Sequence, residues 1–154
     1  MTISYTPGAI KKFKRSSWNC QMTFVTPLRK LDVFVPAIFS HLEPIKVASV
    51  IMDGDSFEPK NLLGLMAKSG VSGQLQRDTS LTVVDHVKAK ELLRTALSDW
   101  VDFAFIPVLK LFEIYADHDE YITFYANTKS NLERIKSSLL VEKFEEVRNY
   151  ERKF

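Results

Sequence analysis

The chain has 154 residues, 45% of them apolar and 26% charged, which fits one domain with a sizeable core and excludes a disordered chain. Its formal net charge of +2 is too small to point by itself to a nucleic-acid partner, and a single cysteine, Cys20, excludes both an internal disulfide and a cysteine-based zinc site. No apolar run is long enough to span a bilayer and the first residues lack a secretory signal, so the expected location is cytoplasmic, with no membrane association.

Residues 1–16 combine Pro7-Gly8 with the basic cluster Lys11, Lys12, Lys14 and Arg15 and show little apolar periodicity. They read as a basic, disordered N-terminal arm, with 17–154 as a single domain. Residues 18–25 alternate, with Trp18, Cys20, Met22 and Phe24 on one face and Asn19, Gln21 and Thr23 on the other, the period of a half-buried strand. Thr26 before Pro27 predicts a helix start, and Pro36 predicts a kink or break near Val35. Residues 45–52 are apolar and β-branched, a second strand, followed by the turn chemistry of Asp53-Gly54-Asp55. Ser56 to Lys68 reads as a helix capped by Ser56, with Pro59 in its first turn and Gly70 just past its end. Ser69 to Thr82, rich in Gly and Ser, reads as a mobile loop.

Asp85 to Trp100 has a helical apolar side of Val87, Leu92, Leu93, Ala96, Leu97 and Trp100, and residues 102–106 form a strand ended by Pro107. Leu109 to Ala116 and Glu120 to Ala126 read as a hairpin around Asp117-His118-Asp119. A three-residue loop sets Ala116 opposite Glu120, Ile114 opposite Ile122 and Phe112 opposite Phe124, with Asp119 left-handed. One face is then apolar, and the other carries Leu111, Glu113, Tyr115, Tyr121, Thr123 and Tyr125. Ser130 to Glu133 is a capping box that starts a last helix, with Leu132, Ile135, Leu139 and Leu140 inward. After a break near 142–144, residues 144–150 read as an edge strand. The expected class is α+β: one domain, a mainly antiparallel sheet with three to four helices packed against it, and a closing hairpin followed by a C-terminal helix.

No catalytic constellation emerges. There is no Gly-x-Ser-x-Gly elbow, phosphate-cradling glycine loop or paired-histidine motif. Cys20 reads as a buried inert thiol. His41 and His86 read as helix-end residues. Asp53 and Asp55 form an acidic pair of the kind some nucleotide-dependent transferases use, but such pairs are ordinary turn residues. No catalytic residue, metal ligand or cofactor is assigned.

Tyrosine suits interfaces because it buries apolar area and keeps a polar tip. The hairpin residues Glu113, Tyr115, Asp117, His118, Asp119, Glu120, Tyr121 and Tyr125 are therefore the expected partner-binding set. The opposing reading is that a second layer covers this face and makes the tyrosines core. The expected function is a non-catalytic protein–protein interaction domain, in its most concrete form a bacterial toxin-neutralising immunity-type protein that occludes a basic toxin domain. One alternative is a nucleic-acid-binding accessory protein using Lys11, Lys12, Lys14 and Arg15, with Phe13 stacking on a base. Another is a metal-dependent, nuclease-like enzyme centred on residues 117–120.

Overall fold

The computed structural model describes residues 1–40, 42–54 and 58–154. Among them, seven strands form one sheet: β1 (Thr2–Tyr5), β2 (Cys20–Val25), β3 (Val47–Met52), β4 (Thr79–Val84), β5 (Phe103–Pro107), β6 (Glu113–Ala116) and β7 (Tyr121–Ala126). Their spatial order is β1-β4-β3-β5-β6-β7-β2, and every pairing is antiparallel. The described helices are α1 (Ala9–Lys14), α2 (Leu31–Phe39), α3 (Lys60–Lys68), α4 (His86–Ser98) and α5 (Lys129–Val141). The class is α+β, with the final helix after the closing hairpin.

The sheet alternates as period two requires. Phe24, Val50, Met52, Leu81, Phe103, Phe105, Ile114, Ile122 and Phe124 point to one face, where Phe34, Ile38, Leu92, Leu93, Ile135 and Leu139 of α2, α4 and α5 complete a single core. Aromatic edges lock this layer: Phe39 meets both Phe105 and Phe112 edge-on, and Phe34 meets Phe144 at 4.9 Å. Helix α3 begins on a cap borrowed from elsewhere, because the Asp99 carboxylate accepts the amides of Asn61 (3.0 Å) and Leu62 (2.7 Å). Pro59 precedes that helix, and the Ser56 cap and the Asp55 turn residue lie outside the described residues.

Several expectations need correction. The first sixteen residues are not a disordered arm. Strand β1 pairs with β4, Ile3 opposite Leu81, and α1 buries Ile10 and Phe13. Two apolar residues in one short helix make no readable periodicity. The expected loop Ser69 to Thr82 holds as irregular chain only to Asp78, because its last four residues begin β4, an interior strand. Its Thr79, Leu81 and Val83 are buried, and its Ser80 and Thr82 lie on the other face, where Thr82 bonds Ser49 at 2.7 Å. Ser and Thr read as loop residues when a strand's outer face is polar.

Trp18 precedes β2 and joins the opposite face from Cys20. A 3-10 turn over 28–30 separates Thr26 from α2, which runs through Pro36 without a break. Helix α5 starts at Lys129, ahead of the capping box. Val87, Trp100 and Leu140 are exposed. The edge strand expected over 144–150 reduces to one bridge, Phe24 to Glu146.

Removing a buried phenyl ring from a packed layer costs about 3 kcal/mol or more. Phe13→Ala should therefore lower the unfolding free energy by about 3 kcal/mol in a urea titration. A change below about 0.5 kcal/mol, the range of ordinary surface substitutions, would return residues 1–16 to an appended arm.

Candidate functional site

The chemistry-bearing side chains gather on the sheet face away from α2 to α5. The hairpin places them there. Its observed register pairs Ala116 with Ile122, Ile114 with Phe124, Tyr115 with Thr123 and Glu113 with Tyr125. This is two residues from the expected register. A shift of two preserves the faces, so the apolar and tyrosine-bearing sets stay segregated. The cause is local. Asp117 accepts the amides of Asp119 (3.0 Å) and Tyr121 (3.3 Å), which moves the loop one residue along, and Glu120 rather than Asp119 takes the left-handed conformation at φ 71°.

The tyrosine face is covered. Tyr115 and Tyr125 join Ile10, Phe13 and Ala104 in a second, smaller core, with Trp18, Ile51 and Ile106 at its margin. Glu113, Tyr115 and Tyr125 are 5%, 4% and 2% exposed, which corrects the expectation that they face a partner. Two segments distant in sequence do the covering: α1, and residues 150–154. Trp18 lies 4.4 Å from Tyr125, ring to ring, and donates its indole N–H to Glu113 Oε2 at 3.0 Å.

Above this floor runs a row of aspartates. The last paired residues of β4, β3, β5 and β6 are each followed, one step outward, by Asp78, Asp53, Asp102 and Asp117. Backbone bonds carry the ladder through that step: Asp78 N–H to Met52 O and Asp53 N–H to Asp102 O at 2.9 Å, and Asp117 N–H to Tyr121 O at 3.2 Å. Like charges side by side on neighbouring strands destabilise a sheet. Each carboxylate is answered from outside the strands.

Asp78 accepts the amides of Gly8 and Ile10, both at 2.9 Å, at the start of α1. Asp53, 4% exposed, pairs with Lys14, with Arg77 at 3.5 Å, and with the Tyr115 hydroxyl, which donates to it. Asp102 accepts the His118 amide and meets His118 Nδ1, both at 2.8 Å. Asp117 pairs with Arg152.

Burial, and then the bond to Asp53, push the Tyr115 hydroxyl far above the ordinary tyrosine range. Burial does the same to Tyr125. Neither phenol ionises near neutral pH, so neither is a base. The His118 imidazolium is favoured by its hydrogen bond to Asp102 and by that carboxylate's charge, so its pKa is raised. His86 is lowered, first by burial and then by Lys90, and its Nδ1 accepts the Ile45 amide at 3.1 Å. His41 and Asp55 lie outside the described residues.

Other expected features separate. Among the described residues, no three His, Cys, Asp or Glu side chains converge as a metal site, and this gives the 117–120 metal reading no geometry. Phe13 is 4% exposed and cannot stack on a base, and Lys14 is held by Asp53, so the nucleic-acid reading keeps only Lys11, Lys12 and Arg15 on the outer side of α1. Cys20 is half-buried against the main core. Among the described residues, no helix is long and apolar enough to cross a membrane.

Of the expected partner-binding set, His118, Asp119 and Glu120 stand exposed at the hairpin tip. Asp117 and Tyr121 are half-buried at its base. The residues that sequence reasoning missed are Asp53, Asp78 and Asp102 as a set, together with Arg152. A signal for the set existed: an aspartate follows β3 and β6 and precedes β4 and β5, which in antiparallel strands is one end of the sheet.

Asp53→Asn should cost about 2 kcal/mol of stability, because the Tyr115 hydroxyl and the partly exposed Lys14 lose a charged acceptor. Asp119→Asn at the exposed tip should stay within about 0.5 kcal/mol by the same denaturant titration. The raised pKa of His118 gives stability that is fully present below its ordinary value of about 6.5 and is lost as pH rises through the folded value. The melting temperature of the wild type relative to His118→Asn should therefore fall from about pH 6 to about pH 9. A difference independent of pH would show that the Asp102 contact stabilises no charge. No family model matches the chain, and neither a curated protein nor a solved structure matches it.

Proposed function

We propose that this chain is a non-catalytic protein-binding domain that docks through its acidic hairpin tip. In its most concrete form it is a toxin-neutralising, immunity-type protein that occludes a basic partner. The observation that supports this reading is the division among the acids. The four row aspartates are engaged internally, whereas Asp119, 77% exposed and 3.7 Å from His118 Nε2, and Glu120 project from a tip whose base is clamped on both sides. His118 ties the tip to Asp102, and Asp117 ties it to Arg152.

A tip held in place before binding loses little conformational entropy on docking, which leaves more of each contact as affinity. Its carboxylates act chiefly on encounter. Complementary charge raises the association rate at low salt, and this effect is screened beyond about 8 Å at physiological ionic strength. The docking surface is thus His118, Asp119, Glu120 and the exposed part of Tyr121, with Asp117 positioning them. Glu113, Tyr115 and Tyr125 support the hairpin from below. Among the described residues of this face, the phenols are buried with raised pKa values and the row carboxylates are paired internally.

The test is affinity purification from the source cells with the tagged wild-type chain and with the Asp119→Lys/Glu120→Lys double variant. A basic protein should be retained by the wild type and reduced at least tenfold by the variant, at unchanged melting temperature. The purified partner's activity should be suppressed on adding the wild-type chain and not the variant. Equal retention by both chains would remove the tip from the binding surface. Retention of a partner whose activity is untouched would remove the neutralising role.

A further inference from the structure

The segment that closes the second face is built differently from the rest of the fold. Lys143, at φ 63°, ends α5, and from there to Phe154 the chain forms neither helix nor ladder. It touches edge strand β2 at one bridge, flanked by the bonds Val25 N–H to Glu145 O (3.0 Å) and Val147 N–H to Thr23 O (2.9 Å). Beyond Asn149, at φ 58°, it crosses onto the tyrosine floor.

There it is held by groups that resemble those gripping an extended peptide ligand. The Gln21 side-chain amide imitates a neighbouring strand: Arg152 N–H donates to its Oε1 at 3.0 Å, and its Nε2 donates to Arg152 O at 3.4 Å. The Arg152 guanidinium lies 5.1 Å from the Tyr115 ring centre, pairs with Asp117, and donates from Nε to Thr123 Oγ1 at 3.1 Å. Two residues on, Phe154 sits 4.9 Å from Tyr115, ring to ring, and within about 6 Å of Phe13 and Tyr125. A planar cation that stacks and donates in a fixed fork suits this seat, and a lysine ammonium does not.

Two features distinguish this seat from ordinary core. Among the described residues the buried Tyr125 hydroxyl on the floor and Arg152 Nη2 on the occupant find no hydrogen-bond partner of ordinary geometry, so the two surfaces match incompletely. A cavity of about 400 Å³ also remains beside the segment, lined by Lys14, Trp18, Gln21, Tyr125, Tyr150 and Arg152.

We propose that the second sheet face carries a recognition cleft for an extended protein segment bearing an arginine two residues before an aromatic, and that residues 148–154 occupy it in cis. A partner segment of that chemistry competes with the chain's own. The cleft shares the Asp117–Arg152 pair with the base of the hairpin tip, but this proposal does not rest on the docking role given to His118, Asp119 and Glu120. Its apparent affinity for an added peptide is lowered by the fraction of time the chain's own segment fills it.

The probe is a fluorescent peptide of residues 148–154, titrated by anisotropy against full-length chains. Arg152→Ala, which vacates the guanidinium seat, should bind it at least tenfold more tightly than the wild type. Adding Asp117→Asn, or placing Arg152→Ala in the peptide instead, should abolish the gain. Equal affinity of the wild type and Arg152→Ala, or equal binding of the altered peptide, would overturn the cleft. If Arg152→Ala does not fold, hydrogen exchange on the wild type decides. The Arg152 amide should exchange at least tenfold faster than the amides of β7, because the segment detaches while the sheet stays closed. Exchange as slow as that of β7 would make the segment an inseparable part of the core and overturn the proposal.

Discussion

Four carboxylates abreast on neighbouring strands are a constraint that the rest of the second face must meet. At roughly 5 Å and an effective dielectric of about 20, each adjacent pair repels by about 3 kcal/mol. At that end the strands and their turns supply only the exposed Arg77 and His118 as counter-charges. Asp78 recruits the amides that open α1, Asp53 recruits Lys14 from its last turn, Asp102 recruits His118 from the hairpin, and Asp117 recruits Arg152 from the segment after α5. Two segments far apart in sequence, α1 and residues 150–154, are thereby drawn to one edge, and together they form the layer that seals Tyr115 and Tyr125.

The two faces therefore rest on different physics. Toward α2 to α5, stability comes from non-directional burial and aromatic packing, and the contacts tolerate exchange among apolar residues of similar volume. On the other face the contacts are directional: a phenol to a carboxylate, an indole to Glu113, a guanidinium across a ring. Such networks are strongest when every member is satisfied. Among the described residues two atoms, the Tyr125 hydroxyl beneath the last segment and Arg152 Nη2 within it, lack a partner of ordinary geometry.

Much of the main core was legible before the structure. Period-two alternation gives β2, an apolar β-branched run gives β3, an apolar stripe gives α4, and the hairpin's segregation of Ile114, Ile122 and Phe124 from Tyr115, Thr123 and Tyr125 survives a two-residue error in register. That error arose because the Asp117 side chain chose the turn, and a side-chain choice of this kind leaves no mark on hydrophobic periodicity. Strand β4 was read as a loop because Ser80 and Thr82 look like turn residues outside a sheet. Helix α1 was missed because Ile10 and Phe13 make one apolar stripe too short to register. Of the expected site, the structure leaves His118, Asp119 and Glu120 exposed and buries Tyr115 and Tyr125 below them.

The sequence by itself determined which residues share a face, where α4 and the hairpin fall, and that apolar and polar sets are kept apart. Local periodicity encodes these, since side-chain direction follows from the backbone repeat alone. Only the tertiary structure decided whether the tyrosine face met water or protein, and whether four scattered aspartates stood alone or in a row. Coverage and cross-strand neighbours depend on segments dozens of residues away. Strand order, not sequence order, brings Asp53, Asp78, Asp102 and Asp117 together, and it makes residues 8–14 and 150–154 their neighbours.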